Sequence, residues 1–266
     1  MSTAFADPSI LVVEPSAMQA KVISKAFREL GMERLRTTET GAAALECMRD
    51  IRPEVVVSAL YLPDMSGLDL VLAMREETDL AGVPFILISS ETRPQALDPV
   101  RQAGICGILP KPFSNAQLRR VLDTTLDFLS IEHAAVVDFR AEELKVLLVD
   151  DSGSARRFMR RMLENLGIRN FIEADNGRMA AELLAGTMVD LVVTDYNMPE
   201  MDGQALVEHI RTHSWQQDVP ILMVTSESDS RRLAAVQAAG VSGICDKPFE
   251  ASVVSDLLGR LLDREG

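Results

Sequence analysis

The sequence predicts an α/β protein made of two copies of one doubly wound domain in tandem. Glycines and prolines recur at a constant shift of 136 residues without a gap, so that Gly31 matches Gly167 and Pro84 matches Pro220. Within each copy, short β-branched runs alternate with helical patterns, which is typical of βαβ units and a parallel sheet. A repeat of this length indicates two similar domains rather than a solenoid of short repeats.

The second copy contains five predicted βα units, which is the flavodoxin-like plan with parallel strand order 2-1-3-4-5. Val146–Val149 is apolar throughout and predicts a buried first strand. The apolar stripe of the next helix, 153–166, ends at Gly167, a typical helix-terminating glycine. The other elements follow in alternation: strands near 170–174, 191–194, 221–225 and 243–245, and helices near 178–185, 203–212, 229–239 and 251–262. The first copy repeats this pattern from Ile10 to about Ser130.

The predicted domains are residues 8–129 and 144–266. The connection between them, 130–143, is rich in neither Gly/Ser nor Pro and carries several apolar residues. A flexible tether would be more polar. We therefore expect a semi-rigid linker or an extension of the first domain's last helix.

Composition excludes several classes of function. The net charge is −13 and no run of basic residues occurs, which argues against nucleic acid as a partner. The three cysteines are widely scattered, which fits a reducing compartment rather than a disulfide framework. The N-terminus has no signal-peptide pattern, and the apolar runs are too short to insert into a membrane. The expected location is cytoplasmic.

Chemically active residues fall at the predicted strand ends of the second copy. Asp150 and Asp151 follow the first strand, Asp195 the third, Thr225 ends the fourth, and Lys247 follows the fifth. In a doubly wound sheet these ends meet where ligands bind. Clustered carboxylates repel one another unless a cation neutralises them, and oxygen ligands at an accessible site favour Mg²⁺. An Asp beside such a cation and a lysine can attack a phosphoryl group.

Each of these residues alone also has a purely structural interpretation. An Asp at a strand end often caps a helix, Thr is a good strand former, and a lysine is usually a surface residue. The five together at five strand ends favour a functional site.

The second copy resembles a receiver domain of bacterial two-component response regulators of the chemotaxis (CheY-like) type. The resemblance covers 145–263 and rests on the Asp150-Asp151 pair, the segment 195–203 (DYNMPEMDG), Thr225 and Lys247-Pro248-Phe249. It implies that Asp195 is the phosphoacceptor and that Thr225 and Lys247 bind the phosphoryl group. It further implies that Asp151, Asp195 and the Asn197 backbone carbonyl bind Mg²⁺ directly, with Asp150 acting through water, and that the Lys247–Pro248 bond is cis.

The resemblance also implies how the domain is tuned. Asn197 and Glu227 occupy the positions that adjust loss of phosphate. Many receivers carry Tyr or Phe three residues before the lysine, whereas this chain has Ile244. Phosphorylation is expected to persist, and its readout is expected to differ from switching by an aromatic side chain, with a Thr225-led shift of the loop and the following helix as the alternative.

The first copy lacks the same chemistry. Glu14 and Pro15 replace the acidic pair, and Ala59 replaces the nucleophile. Ser89 and Lys111 persist at the Thr225 and Lys247 positions, and Tyr61 replaces Asn197. The copy resembles a degenerate pseudo-receiver without phosphotransfer or Mg²⁺, in which Lys111 pairs with Glu14. Binding of a different ligand in its vacated pocket is an open alternative.

These observations predict a response regulator that is not an enzyme beyond slow self-phosphorylation from small donors and autodephosphorylation. A sensor histidine kinase or histidine phosphotransfer protein would supply the phosphoryl group. The chain ends soon after the last predicted helix, so we expect no DNA-binding or enzymatic output domain. Output would pass through a protein target or contact between the two domains, by family analogy through 229–262. A homodimer is possible.

Two other classes of function compete with this prediction. A phosphohydrolase of the aspartyl-phosphate type needs a second Asp two residues after the nucleophile, where Asn197 stands. A scaffold independent of phosphorylation fits the first copy better than the second. His209 and His213, four residues apart on a predicted helix, suit a solvated helix face better than a metal site, because no third ligand is evident.

Overall fold

A computed structural model describes residues 7–91, 93–133, 139–225 and 230–247 of the chain. The chain divides into two compact units, Met1–Leu129 and Ser130–Gly266. Each contains a five-stranded sheet in which every pairing is parallel.

The sheet of the first unit has the order β2-β1-β3-β4-β5. Its strands are β1 (Ile10–Val13), β2 (Leu35–Thr38), β3 (Val55–Ala59), β4 (Phe85–Ser89) and β5 (Gly107–Pro110). Its helices are α1 (Ala17–Glu29), α2 (Gly41–Ile51), α3 (Gly67–Glu76), α4 (Pro94–Gln102) and α5 (Asn115–His133).

The second unit repeats this architecture, with the order β7-β6-β8-β9-β10. Its strands are β6 (Lys145–Val149), β7 (Asn170–Ala174), β8 (Leu191–Asp195), β9 (Ile221–Thr225) and β10 (Gly243–Asp246). Its helices are α6 (Phe139–Glu143), α7 (Gly153–Asn165), α8 (Gly177–Gly186), α9 (Gly203–His213) and α10 (Ser230–Ala239). The predicted helix 251–262, Glu227 and the Lys247–Pro248 bond lie outside the described residues.

The predicted fold class is confirmed: both sheets follow the order 2-1-3-4-5 when strands are counted within each unit. The central strands β1, β3, β6 and β8 are almost wholly buried because helices cover both faces of the sheet, and this explains their apolar sequences. Separate apolar clusters lie on the two faces of the first sheet, one around Leu87 and one around Ile86.

Helix starts are set by short polar side chains. Ser16 caps α1 and Ser152 caps α7 at the same position of each unit, and each hydroxyl accepts a backbone N–H of the first turn. These caps fix where the chain turns from the first strand of each unit into the helix that follows that strand. Among the described helices, none combines the length and apolar character needed to span a bilayer.

Candidate functional site

The acidic residues of the second unit meet at the carboxyl ends of two neighbouring strands. Asp195 is the last residue of β8, and Asp150 and Asp151 directly follow β6, which pairs with β8. One carboxylate oxygen from each of the three lies within 4.8 Å of the others. Asp150 and Asp195 are fully buried, whereas Asp151 is exposed.

Lys247 lies between the two buried carboxylates. Its Nζ is 2.9 Å from Oδ2 of Asp150 and 3.1 Å from Oδ1 of Asp195. The lysine follows β10, and its backbone N–H donates to the carbonyl of Thr225, which ends the adjacent strand β9. The sheet itself therefore holds the ammonium group against the acidic cluster.

Thr225 and Asn197 occupy the remaining predicted positions. Thr225 is fully buried at the end of β9, and β9 is the direct neighbour of β8. Asn197 stands two residues beyond Asp195 in the loop before α9, with its side chain exposed. All the predicted site residues thus lie at the end of the sheet where the carboxyl ends of its strands meet.

The electrostatics of the site are set by burial and by shared charge. Burial raises the pKa of Asp195 to about 6, with a contribution from Asp150, while Lys247 opposes the increase. Burial alone would lower the pKa of Lys247, but the two carboxylates outweigh it and hold that pKa above its ordinary value. At neutral pH the site therefore contains a protonated lysine between carboxylates.

Hydrogen bonds and close backbone packing hold the acidic residues in place. The Ser152 N–H donates to Oδ1 of Asp150 at 2.8 Å, and the Arg156 guanidinium donates to the Asp150 carbonyl oxygen. A Cβ on Gly203 would clash with the backbone carbonyl oxygen of Asp195, so only glycine allows α9 to start this close to β8. The recurrence of Gly67 and Gly203 signals this contact in the sequence, whereas nothing in the sequence signals the role of Arg156.

The donor set fits a divalent cation. The Asp195 carboxylate is fully buried and has one oxygen 3.1 Å from the Lys247 ammonium, so a single cationic group neutralises it only in part and it can also accept a metal cation. One lysine cannot balance three clustered carboxylates, and oxygen-only ligation at a partly open site suits Mg²⁺. Asp150, Asp151 and Asp195 are the residues that would hold it.

The matching edge of the first unit has a different arrangement. Lys111 Nζ donates to Oε2 of Glu14 at 2.7 Å, which confirms the predicted pair. Ala59 ends β3 where Asp195 ends β8, and Ser89 ends β4 as Thr225 ends β9. One ammonium therefore faces one carboxylate, and Tyr61 stands nearby with its side chain mostly exposed.

The two histidines of α9 lie on one face of the helix. The rings of His209 and His213 stack with centroids 5.3 Å apart. Among the described residues, the group of acidic, histidine or cysteine side chains close enough to hold a metal is the Asp150, Asp151 and Asp195 set, which contains neither histidine.

A doubly wound domain with an acidic cluster and a buried lysine at its strand ends has the architecture of a phosphoacceptor signalling domain. The chain belongs to the response regulator receiver domain family, whose model matches it twice, over residues 10–123 and 146–258. It is a two-component response regulator with tandem receiver domains.

Several individual proteins are similar to the chain in sequence or structure. The chain is 37% identical over 123 residues to the chemotaxis protein CheY-3 of Vibrio cholerae, covering 46% of this chain and 95% of that protein. It is 36% identical over 121 residues to the chemotaxis protein CheY of Pseudomonas aeruginosa, covering 46% of this chain and 98% of that protein. A solved putative two-component system response regulator/GGDEF domain protein is 26% identical, with 96% of this chain and 99% of that chain covered and a TM-score of 0.41.

The family defines the general activity of the chain. Receiver domains are signalling phosphoacceptors rather than classical enzymes, and they interact with histidine kinases or phosphotransfer proteins. They bind Mg²⁺ at an acidic site, and the acidic cluster described above belongs to the second unit.

Proposed function

We propose that the second unit accepts a phosphoryl group on Asp195 from a phosphohistidine of a kinase or phosphotransfer protein. The observation that carries the proposal is the buried Asp195 carboxylate, which lies within 4.8 Å of two other carboxylates and 3.1 Å from the Lys247 ammonium. Mg²⁺, when bound by Asp150, Asp151 and Asp195, would neutralise the carboxylates and the transferring oxygens.

Three side chains, Asp195, Lys247 and Thr225, have different roles in the phosphoryl transfer. An oxygen of Asp195 attacks phosphorus while the bond to the donor imidazole breaks, which forms an acyl phosphate. Lys247 already lies against Asp195. Its ammonium can therefore pair with a phosphoryl oxygen as negative charge moves from the carboxylate onto the phosphoryl group. The Thr225 hydroxyl, at the end of the adjacent strand, donates to another oxygen. Slow phosphorylation from small donors and slow autodephosphorylation would follow the same geometry.

The first unit is proposed to be a pseudo-receiver that neither accepts phosphate nor binds Mg²⁺. Ala59 has no nucleophile, Pro15 has no side-chain oxygen, and Glu14 already pairs with Lys111. We further propose that 8–129 and 144–266 act as separate domains joined by 130–143. Phosphorylation of the second would then change contacts with the first or with a separate protein target, without nucleic acid as a partner.

Labelling with a small phosphodonor tests the site. Purified protein is incubated with acetyl phosphate and Mg²⁺, and phosphate per chain is measured by intact mass. We expect one Mg²⁺-dependent phosphate on the unmodified chain and on Ala59→Asp, and none on Asp195→Asn.

A nearby carboxylate provides the matched control. Asp202 caps α9, and Asn is an equally good capping residue, so Asp202→Asn should fold and label normally. Labelling that persists in Asp195→Asn, or that disappears equally in Asp202→Asn, would contradict the assignment of Asp195.

A further inference from the structure

The first unit contains a cleft of about 790 Å³ between α1 and the segment that joins β5 to α5. Its α1 wall includes Val22 and Ala26, and its opposite wall includes Lys111, Pro112 and Phe113. The volume is in the range of small-molecule sites in proteins, roughly 300–1,000 Å³. None of these residues takes part in the phosphoacceptor chemistry proposed for the second unit.

Comparison of the two first-strand helices, α1 and α7, shows that the α1 wall of the cleft has smaller side chains. The counterparts of Val22 and Ala26 at the shift of 136 are Phe158 and Met162, which are larger and only 2% exposed. Val22, by contrast, is 55% exposed. Side chains that are buried on α7 of the second unit are thus replaced on α1 by smaller ones, and the helix wall is open to a ligand.

The charges of the cleft favour an anion at one end. In the second unit Lys247 contacts two carboxylates, whereas Lys111 contacts the Glu14 carboxylate, and Ala59 is the sequence counterpart of Asp195. The Lys111 side chain is 23% exposed, compared with 5% for Lys247. Lys111 thus has one carboxylate partner where Lys247 has two, and it lines the cleft, so its ammonium can also pair with an anionic group of a ligand.

The other residues that line the cleft are consistent with an anionic ligand. Glu29 is the acidic residue of the lining, and its carboxylate is already engaged by Asn115 at 2.8 Å and by Lys25 at 3.7 Å. The lining also includes an apolar surface, formed by Val22, Ala26 and Phe113, and two lysines, Lys25 and Lys111. We propose that the cleft binds a small organic anion whose carboxylate, sulfonate or phosphate pairs with Lys111 and whose aromatic or other apolar body packs on α1.

Two matched dyes probe this site on the full-length chain. Anilinonaphthalene sulfonate carries an aromatic body and an anion, and phenylnaphthylamine is the same ring system without the sulfonate. We expect saturable binding of the sulfonate with one site per chain, and binding of the uncharged dye weaker by about tenfold, since a charge-assisted hydrogen bond is lost.

Substitutions locate the site. Val22→Phe/Ala26→Met fills the cleft with the residues of the second unit and should weaken sulfonate binding by about tenfold or more. Met18→Phe adds an aromatic ring to the exposed face of the same helix outside the cleft and should change nothing. Glu14→Gln/Lys111→Gln removes both charges together, so that neither is left buried alone, and should make the two dyes bind equally.

Three results would overturn the proposal: neither dye binds, the filled variant binds as the unmodified chain does, or the sulfonate has no advantage. The proposal does not depend on Asp195, because Asp195→Asn should bind the dye unchanged.

Discussion

At the scale of single residues, the two sites differ in how charge is balanced. In the second unit one ammonium, Lys247, serves two buried carboxylates, Asp150 and Asp195. In the first unit Lys111 serves one carboxylate, Glu14. Buried charge is costly unless it is paired, so the second site has an excess of negative charge that a divalent cation can relieve, whereas the single carboxylate of the first site gives a divalent cation no such excess.

The raised pKa of Asp195 predicts a pH-dependent cost to stability. The pKa of the folded state, about 6, lies above the ordinary 3.8, so folding disfavours the ionised form; the cost is absent below about pH 4 and full above about pH 6. In the absence of Mg²⁺, Asp195→Asn should therefore raise the free energy of unfolding by about 1–3 kcal/mol at pH 7.5, and the gain should shrink as the pH falls toward 4.

Urea unfolding, monitored by tryptophan fluorescence, measures this difference in the second unit, which contains Asp195. Trp215 is the single tryptophan of the chain and lies in the second unit. Asp202→Asn, the same carboxylate-to-amide change at the cap of α9, serves as the control. A stability gain of Asp195→Asn that is constant between pH 4 and 7.5 would contradict the raised pKa.

Lys247 should matter for phosphoryl transfer and not for binding the metal. Lys247→Met removes the cation that competes for Asp150 and Asp195, so Mg²⁺ affinity measured by calorimetry should stay equal or increase. Labelling should slow by about a hundredfold, because a donor to the transferring oxygens is lost. Lys111→Met, the counterpart change in the first unit, should leave labelling unchanged. Equal losses of metal affinity and labelling in Lys247→Met would contradict this division of roles.

At the scale of elements, the site depends on how closely α9 approaches β8. The Gly203 N–H donates to the carbonyl oxygen of Tyr196 at 2.8 Å, and its α-carbon leaves no room for a side chain beside Asp195. The first unit repeats this contact, with the Gly67 N–H bonded to the carbonyl of Leu60 at 2.7 Å. The contact therefore belongs to the fold, but only in the second unit does it position a nucleophile.

Adding one methyl group at Gly203 or at Gly67 should separate the role of this contact in the fold from its role in positioning Asp195. Gly203→Ala pushes the end of β8 away and should reduce the labelling rate by about ten- to a hundredfold, because displacements near 1 Å carry that cost. Gly67→Ala places a Cβ 2.6 Å from the Ala59 carbonyl oxygen and should destabilise the first unit without slowing labelling. Thermal unfolding confirms that both variants fold. Equal labelling of the two variants would contradict a positioning role for Gly203.

Much of this architecture could be predicted from the sequence because it depends on local rules. The alternation of apolar strands and amphipathic helices fixes the sheet order, and parallel strand ends bring Asp150, Asp195 and Lys247 together. The bond from Arg156 to the Asp150 carbonyl could not be predicted, because its counterpart in the first unit is Ala20 and no periodicity marks it. The cleft beside Val22 also depends on packing across the chain, which spacing alone does not show.

At the scale of the whole molecule, duplication preserved the scaffold and divided the chemistry. Both units keep the five-stranded sheet, the serine that caps the helix after the first strand, and the glycine that packs against the end of the third strand. The first unit differs at the functional edge, where Glu14, Pro15 and Ala59 replace three aspartates. If the scaffold is intact, loss of function in the first unit should be reversible by restoring these three residues.

Restoring the acidic residues of the first unit tests this directly. In an Asp195→Asn background, Glu14→Asp/Pro15→Asp/Ala59→Asp rebuilds the carboxylate set opposite Ser89 and Lys111, so Mg²⁺-dependent labelling should return to the first unit. The variant with Asp195→Asn/Ala59→Asp alone should remain unlabelled, because a nucleophile without the acidic pair lacks the oxygens that bind the cation. Intact mass and peptide mapping measure the outcome. Equal labelling of the two variants would show that the acidic pair is not what the first unit lacks, since the nucleophile alone would then be sufficient.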